Sequence, residues 1–448
     1  MSRPGTTRME YGDAFMLQFE SRDVTFHYIN GWYLDTAARG RPVSLDEIIA
    51  VGPAHLGLTP RLTQRVEKRR RQWHWVDDDT FDITQHVDER TVDGEDGLAA
   101  LIGELGGTHL DRSRPLWKVT LVHGLPDGRQ AVLARIHHSM MDGLAAANLF
   151  RELSTDTYGA APVIVDRSAP TPAPRAPLPK RWAHVARLLR KQRARTKEFG
   201  PGASIPRKFL PRTKVNPKVG QPERVWAGST IATEDLQELG GLLDMNVMGA
   251  LHAAIAQAVR TYLRENDALP QHRMVANFGT VENVRDPRCD GNIVATARVW
   301  MPIDVEDPLE LARLTAESCR DALALRRHRG MDLQLAAVEF GWIIPILHKL
   351  FGNVSPVTPV HLHTAFIVDP SEPRYFYDVE AVGWISSAVP VPPAALSISV
   401  HRFAGRMWVG AVATPSAMPD IAHFLDLVGQ SLEHLLELAR SRHSSEAG

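Results

Sequence analysis

Strand-like and helix-like runs alternate twice along this chain, over residues of about 8–157 and again from Pro222 onward, with a stretch of different character between. That pattern confines the fold to a mixed α/β (α+β) arrangement, because each strand run carries an apolar face that a neighbouring helix has to cover. The 448 residues exceed what one hydrophobic core ordinarily supports, and a 44% hydrophobic content is enough for two. Two halves are therefore expected, 1–158 and 223–448, joined by residues 159–222.

In the first half, residues 117–122 and 131–136 flank a loop with Pro126, Asp127 and Gly128 and read as an antiparallel hairpin. His137-His138-Ser139-Met140-Met141-Asp142-Gly143 follows, and then a helical run in which Leu144, Ala147, Leu149 and Leu153 share a face. The two histidines and Asp142 are thus expected in a strand-to-helix turn. In the second half the spacing predicts a helix over 242–263, a strand over 293–302 and a helix over 309–326. A hairpin of 396–403 with 407–413 and a closing helix over 419–440 complete it, with a frayed tail after Ser441. Between the halves, 175–218 holds about 14 Lys and Arg and a single acid, Glu198. This segment reads as a basic crossover linker, either merely solvated or able to meet anionic phospholipid or the phosphates of a nucleotide-bearing cosubstrate.

Lys and Arg (51) and Asp and Glu (52) cancel to a net charge of -1, so no whole-molecule field draws the chain onto nucleic acid, and no such partner is expected. Cys289 and Cys319 are too few for a disulfide framework or a zinc cluster and fit a reducing cytoplasm. The N-terminus lacks the basic-then-apolar block of a signal peptide, so a cytoplasmic location is expected. No run reaches about 18 uninterrupted apolar residues. The nearest, 333–350, contains Glu339, Pro345, His348 and Lys349 and reads as a buried or interfacial helix.

The histidine turn has a chemical rationale. A neutral imidazole, with its pKa near about 6.5, can take a proton from an alcohol, thiol or amine as that group attacks a thioester, and can return it to the leaving thiolate. One histidine serves both steps. Asp142, four residues past His138, suits bracing the turn by holding backbone or a nearby guanidinium, and Gly143 permits tight backbone as the turn ends. The purely structural alternative is a pair of hydrogen-bonded histidines at a helix start, with Asp142 as the helix N-cap. His361 and His363 share one side of a strand if 360–366 is extended, but no third ligand and no HExxH accompany them, so no metal is expected. No GxGxxG or GxxxxGK loop and no GxSxG elbow occurs, which disfavours nucleotide folds and a serine acyl-enzyme. Direct transfer between two bound substrates, with no cofactor, is preferred.

HHSMMDG, together with the DRSRPLW that precedes it (residues 111–117), resembles the bacterial wax ester synthase/diacylglycerol acyltransferase family of the CoA-dependent acyltransferase superfamily. The likeness extends to YGDAFMLQFES near the start, FDITQHV at 81–87, Thr213-Lys-Val-Asn216, the Asn246 helix, Gly291-Asn292, and the stretch 394–439. HHxxxDG alone is shared with peptide-synthetase condensation domains and polyketide acyltransferases. The resemblance implies two chloramphenicol-acetyltransferase-like halves, each a mixed sheet with flanking helices, around a solvent channel. It implies His138 as general base, with His137 beside it and a structural Asp142. It places Gly143, Pro115, Leu116, Trp117, Asn246, Gly291 and Asn292 along the substrate path. The implied substrates are acyl-CoA and a diacylglycerol or long-chain alcohol, handled at the periphery of a membrane or lipid droplet.

The second half departs from the family pattern, with Asn246-Val247 for Asn-Asp, Thr364-Ala-Phe-Ile-Val-Asp-Pro370 for a Ser-Asn-Val-Pro-Gly-Pro strand, and Phe278-Gly-Thr-Val-Glu282 for Pro-Val-Ser-Val-Arg. These departures leave open a carrier-protein-dependent tailoring acyltransferase or a catalytically silent lipid-binding homologue. A tunnel for long acyl chains calls for apolar walls, with Met140, Met141, Leu144, Trp300, Met301 and Trp342 as candidates.

Overall fold

The structure, a computed structural model of the chain, describes residues 5–70, 72–163, 177–199, 209–218, 220–280, 286–293, 295–330, 332, 357–368 and 372–447. Two six-stranded sheets carry the fold. The first runs Arg374–Phe376, Val379–Ser387, His27–Asp35, Gln130–His137, Trp117–His123, Val87–Thr91, and only its last pair is parallel. The second runs Ala295–Met301, Met274–Thr280, Leu362–Val368, Leu396–Phe403, Arg406–Ala413, Val225–Ala232. Here strand Leu362–Val368 is parallel to both neighbours and the other pairs are antiparallel. Both sheets are mixed, and the architecture is the α/β pair of halves that the alternating runs imply.

Chain position and sheet membership part company at one place. Strand Val379–Ser387 follows residue 223 by a wide margin, yet it pairs along His27–Asp35 in the first sheet, with Trp384 opposite Trp32. Its burial explains this, since Val379, Ala381, Trp384 and Ile385 are all buried and need cover from both sides. Its place in the first sheet, packed against strands Leu396–Phe403 and Arg406–Ala413 of the second, provides it, and Trp226 of the second sheet donates its indole N–H to Ser386 O at 2.8 Å. The second half thus lends the hairpin 374–387 to the first sheet.

The local expectations fare well where the signal is local. Trp117–His123 and Gln130–His137 form the first hairpin with Trp117 opposite Ile136, and Leu396–Phe403 with Arg406–Ala413 form the second. Strand Ala295–Met301 and helix Pro308–Arg329 lie where expected, the helix capped by Asp307 and ended by Gly330 at φ +69°. The helix expected over 242–263 is present as Val247–Glu265, starting five residues later, and a separate helix, Thr233–Leu242, precedes it at an angle of 96°. Asp244 takes a left-handed φ of +50°, and the Asn246 side chain restarts the helix by accepting from Gly249 N at 2.8 Å. Residues 159–222 are more than a linker: helix Leu178–Glu198 lies inside them, with Val185 and Leu188 buried and Arg195 bonded to Arg329 O at 2.8 Å. The closing helix Ile421–Ala447 continues through the tail expected to fray. Segment 333–350 lies outside the described residues.

Helix Val247–Glu265 fills the centre of the second half. Its Ala250, Ala253, Ala254, Ala256 and Ala258 are fully buried, and these small side chains let it lie close against Pro308–Arg329 and Ile421–Ala447. Leu251, Ile255, Val259 and Leu263 of the same helix each contribute about 1.5–3 kcal/mol by burial. In the first half, helix Gly143–Glu152 buries Leu144, Leu149 and Phe150 against the sheet. Among the described residues no single helix is long and apolar enough to cross a membrane.

Candidate active site

Strand Gln130–His137 ends at the first histidine, and the chain then turns through Ser139, Met140 and Met141 before Asp142 opens helix Gly143–Glu152. Asp142 is the N-cap of that helix: Oδ1 accepts from Ala145 N at 3.0 Å. Its other oxygen accepts from Ile293 N at 2.9 Å and from the Arg288 guanidinium. Arg288 in turn donates to Gly291 O at 2.7 Å and Asp290 O at 3.1 Å. The backbone closes the same contact, with Asp142 N to Gly291 O at 3.1 Å and Gly291 N to Met140 O at 2.8 Å. The carboxylate therefore stitches segment 286–293 onto the histidine turn, and both of its oxygens are used in doing so.

That stitching delivers Asn292 to His138. Asn292 donates from Nδ2 to Asp13 Oδ1 at 3.0 Å and to His138 O at 2.7 Å, which leaves its Oδ1 facing His138 Nδ1 at 2.8 Å. An amide oxygen only accepts, so Nδ1 carries the proton and the Nε2 lone pair is the free one. The ring is further held edge-on by Tyr28, with centroids 5.4 Å apart. Asp13 completes the chain of positioning groups. It is buried, and desolvation lifts its carboxyl to about 7 despite the Asn292 bond and nearby Arg61.

His137 has a different occupation. Its ring is buried and its Nδ1 accepts from Ser139 N at 3.0 Å, so Nε2 carries the proton and points to Glu20 Oε1, 3.7 Å away. Burial lowers the His137 pKa, against the opposing pull of Glu20. Burial pushes the Glu20 carboxyl up, but His137 and Arg112 outweigh it and hold Glu20 ionised, at about 2. His137 thus braces the turn from behind, while His138 faces open space.

That space is a cleft of about 790 Å³ between the halves, lined by His138, Tyr28, Asn30, Leu144 and Gly143 from one side and by Thr280, Ile367 and Ser399 from the other. On the far side of the turn lies a chamber of about 1000 Å³ whose walls are almost wholly apolar, among them Met140, Met141, Trp117, Val119, Leu149 and Phe150. A chamber of that size and lining suits a hydrocarbon chain.

The candidate residues separate accordingly. His138, Asp142, Gly143 and Leu144 line the cleft, while Trp117, Met140 and Met141 line the chamber. A Cβ on Gly143 would meet the terminal methyl of Ile367 at 2.8 Å, so any larger residue there must push that side chain aside. Gly291, at φ +74°, allows the sharp path that presents Asn292. Leu116 is a buried frame residue whose carbonyl accepts from His137 N at 2.9 Å, and Pro115 bridges to Arg65. Asn246 spends its side chain on capping its helix and lines neither cavity. Trp300 and Met301 also stand away from both cavities, and Trp342 lies outside the described residues. His361 and His363 have all four ring nitrogens engaged, with Val275 N, Pro211 O, Asn277 Nδ2 and Val391 O, which makes them satisfied core histidines. Asp13, Arg288 and Tyr28 escaped the residue-level reading. Asp13 sits inside the YGDAF segment and Arg288 lies three residues before Gly291, whereas nothing in the sequence around Tyr28 marks it.

Comparison with known proteins agrees with this arrangement. The model of the wax ester synthase/diacylglycerol acyltransferase catalytic domain matches residues 9–240, and that of the WS/DGAT C-terminal domain matches 290–436. A Mycobacterium tuberculosis protein named a "putative" diacylglycerol O-acyltransferase is 25% identical over 398 residues, covering 82% of this chain and 83% of its own length. A Mycobacterium bovis protein of the same description is 25% identical, covering 83% of this chain and 78% of its own. Among solved structures, the wax ester synthase/diacylglycerol acyltransferase from Marinobacter aquaeolei VT8 has the same fold, with a TM-score of 0.73 at 20% identity over 97% of this chain and 99% of that one. The first condensation domain of the CDA synthetase shares it at a TM-score of 0.58 and 15% identity, over 98% and 97% of the two chains. The two family models together place the chain among acyltransferases. The chain belongs to the wax ester synthase/diacylglycerol acyltransferase family.

Proposed function

We propose that this chain moves a long-chain acyl group from acyl-CoA to the hydroxyl of a diacylglycerol or long-chain alcohol, giving a triacylglycerol or wax ester, with His138 as general base. The observation that carries this is the fixed tautomer: Asn292 Oδ1 holds Nδ1–H at 2.8 Å and leaves the Nε2 lone pair for the acceptor hydroxyl. Nε2 takes that proton as the hydroxyl oxygen attacks the thioester carbon, and returns it to the CoA sulfur as the carbon–sulfur bond breaks. Substrate charge balances without an acyl-enzyme and without a cofactor. The apolar chamber behind Met140 and Met141 takes the acyl chain. Helix Leu178–Glu198 rests on the protein through Val185 and Leu188 and exposes Trp182 and Leu189 among Arg and Lys, the composition of an interfacial helix. We assign it to the surface of an anionic membrane or lipid droplet on the cytoplasmic side.

The test is release of free CoA from palmitoyl-CoA in the presence of dioleoylglycerol or hexadecanol. His138→Ala is expected to lower the rate by about 10²–10⁴-fold with the melting temperature retained. Turnover only with an acyl-carrier protein, or binding of acyl-CoA with no turnover by wild-type protein, would sink the proposal.

A further inference from the structure

Strand His27–Asp35 turns Tyr28 and Asn30 to one face, because successive side chains of a strand alternate. Tyr28 meets the His138 ring edge-on at 5.4 Å, and Asn30 follows about 7 Å further along the same face. Asn30 is only 4% exposed, and both residues line the cleft that holds His138. Among the described residues nothing bonds the Asn30 amide. Its neighbours explain why. Ala134 stands opposite on one side with no polar side-chain atom, and Ser386 on the other directs its hydroxyl to Ser399 at 2.8 Å.

The other polar side chains of the cleft are spent or sealed. Tyr28 donates to Met141 O at 3.2 Å, Ser399 donates to Gly410 O at 3.3 Å, and both oxygens of Asp142 accept. Thr280 Oγ1 and the His401 ring nitrogens are unpartnered but have no open surface. The Asn30 amide is neither spent nor sealed. Among the described residues, two polar side chains of the cleft therefore remain open: His138, whose Nε2 can take a proton, and Asn30, whose Nδ2 can give hydrogen bonds. The N-terminus of helix Gly143–Glu152 borders the same space. Asp142 takes the N–H groups of Ala145 and Ala146, and those of Gly143 and Leu144 are left over, so negative charge is favoured on this side of the cleft.

Acyl transfer asks the cleft for two polar contacts, a base for the attacking hydroxyl and a donor for the thioester oxygen. The carbonyl electron pair moves onto that oxygen as the new carbon–oxygen bond forms, and returns as the carbon–sulfur bond breaks and the sulfur takes the proton from His138. A free N–H serves any oxygen, so it is the reaction that assigns this one: the thioester carbonyl is the oxygen that every turnover brings beside His138, whatever the acceptor. We infer that Asn30 Nδ2 donates to the thioester carbonyl oxygen and stabilises the charge that forms on it, which makes Asn30 a catalytic residue alongside His138. The inference rests on the acyl-transfer reading above and adds to it the group that holds the carbonyl.

Asn30→Leu keeps the size of the side chain and removes the donor, and Asn30→Ala repeats the test without the added branch. Since Asn30 has no bond to lose, Asn30→Leu is expected to melt no lower than wild type. With palmitoyl-CoA as donor, kcat should fall roughly 10²–10³-fold, by the same factor for dioleoylglycerol and for hexadecanol, with both KM values within about threefold of wild type. A second measurement needs no turnover. In His138→Ala protein the infrared carbonyl band of bound palmitoyl-CoA, labelled with ¹³C at the thioester carbon, is expected at lower frequency than in an apolar solvent and should move back up when Asn30→Leu is added. An unchanged kcat in both variants, a loss confined to the KM of the acceptor, or a carbonyl band indifferent to Asn30→Leu overturns the inference. If wild-type protein transfers to no acceptor, the acyl-transfer reading fails and the carbonyl band alone decides the role of Asn30.

Discussion

Replacing Asn292 by alanine removes one side chain and three hydrogen bonds, to His138 Nδ1, His138 O and Asp13. The consequence for catalysis follows from the first of them. In the resting ring the bond to Asn292 Oδ1 is a neutral one, worth about 0.5–1.5 kcal/mol, but once Nε2 has taken the acceptor proton the ring is an imidazolium and the same bond is worth about 1.5–3 kcal/mol. The difference is stabilisation present in the transition state and absent from the ground state. Without Oδ1 the ring also gains access to the tautomer with its proton on Nε2, which has no lone pair to offer. Together these come to about 1.5–3 kcal/mol, or a fall in kcat/KM of roughly 10–100-fold. Asp13 meanwhile loses its donor while remaining buried, a further cost of about 1–3 kcal/mol that appears as a lower melting temperature and not in the rate of the folded protein. The assay is CoA release with palmitoyl-CoA and dioleoylglycerol, on protein shown to be folded at the assay temperature. A variant within about threefold of wild type would show that Asn292 does not set the base, and the tautomer argument would fall with it.

Asp142→Asn should melt lower by an amount corresponding to about 2–4 kcal/mol, because it uncouples the carboxylate from the half-buried Arg288, yet its pH–rate profile should keep the low-pH limb expected of His138 as the proposed base; a displaced limb with an unchanged melting curve would make Asp142 a direct participant. Asp13 has its folded pKa raised from 3.8 to about 7, so its contribution to stability is present below 3.8 and is lost as pH rises through 7. Asp13→Asn should therefore gain on wild type by about 2 kcal/mol between pH 5 and pH 8, read from paired melting or urea curves, and a constant difference between the two would refute the raised value. Val119→Phe intrudes into the apolar chamber by the bulk of about two methylenes, at about 0.8 kcal/mol each, and should lower the palmitoyl-CoA to octanoyl-CoA preference roughly 10-fold; an unchanged preference would place the acyl chain elsewhere. Co-sedimentation with phosphatidylglycerol vesicles should fall steeply with salt and weaken in Trp182→Ala, whereas salt-independent association would exclude helix Leu178–Glu198 as the docking element.

What could be read from the sequence divides by the range of the forces involved. The hairpin before the histidine turn and the helix after it follow from alternation, a Pro-Asp-Gly loop and a 3.6-residue period, all of which act within a few residues. Asp142 as a brace was legible for the same reason, although its partner Arg288, 146 residues away, was not. Helix Leu178–Glu198 passed for a linker because basic residues dominate it. Its signal was nonetheless present in Trp182, Val185, Leu188 and Leu189, spaced so that one face is apolar. The lent hairpin 374–387 is another matter, since a strand apolar on both faces announces that it will be covered but not by which sheet.

The histidine pair shows how the long-range part changes the chemistry that the local part only permits. His137 and His138 are adjacent and of one residue type, and nothing in their immediate sequence assigns them different protons. The strand ends at His137 and the turn that follows carries His138 to the cleft, so each ring takes its tautomer from different surroundings. Ser139 N–H, two residues on, fixes His137 with its proton on Nε2, facing Glu20. Asn292, 154 residues on, fixes His138 with its proton on Nδ1 and the opposite nitrogen bare. Asn292 can do so only because Asp13 and the His138 carbonyl occupy its amide nitrogen, and it reaches the ring only because Arg288 and Asp142 hold its segment against the turn. The base proposed at His138 is therefore positioned by both halves of the chain, and a substitution at any of these contacts should act on it without touching substrate.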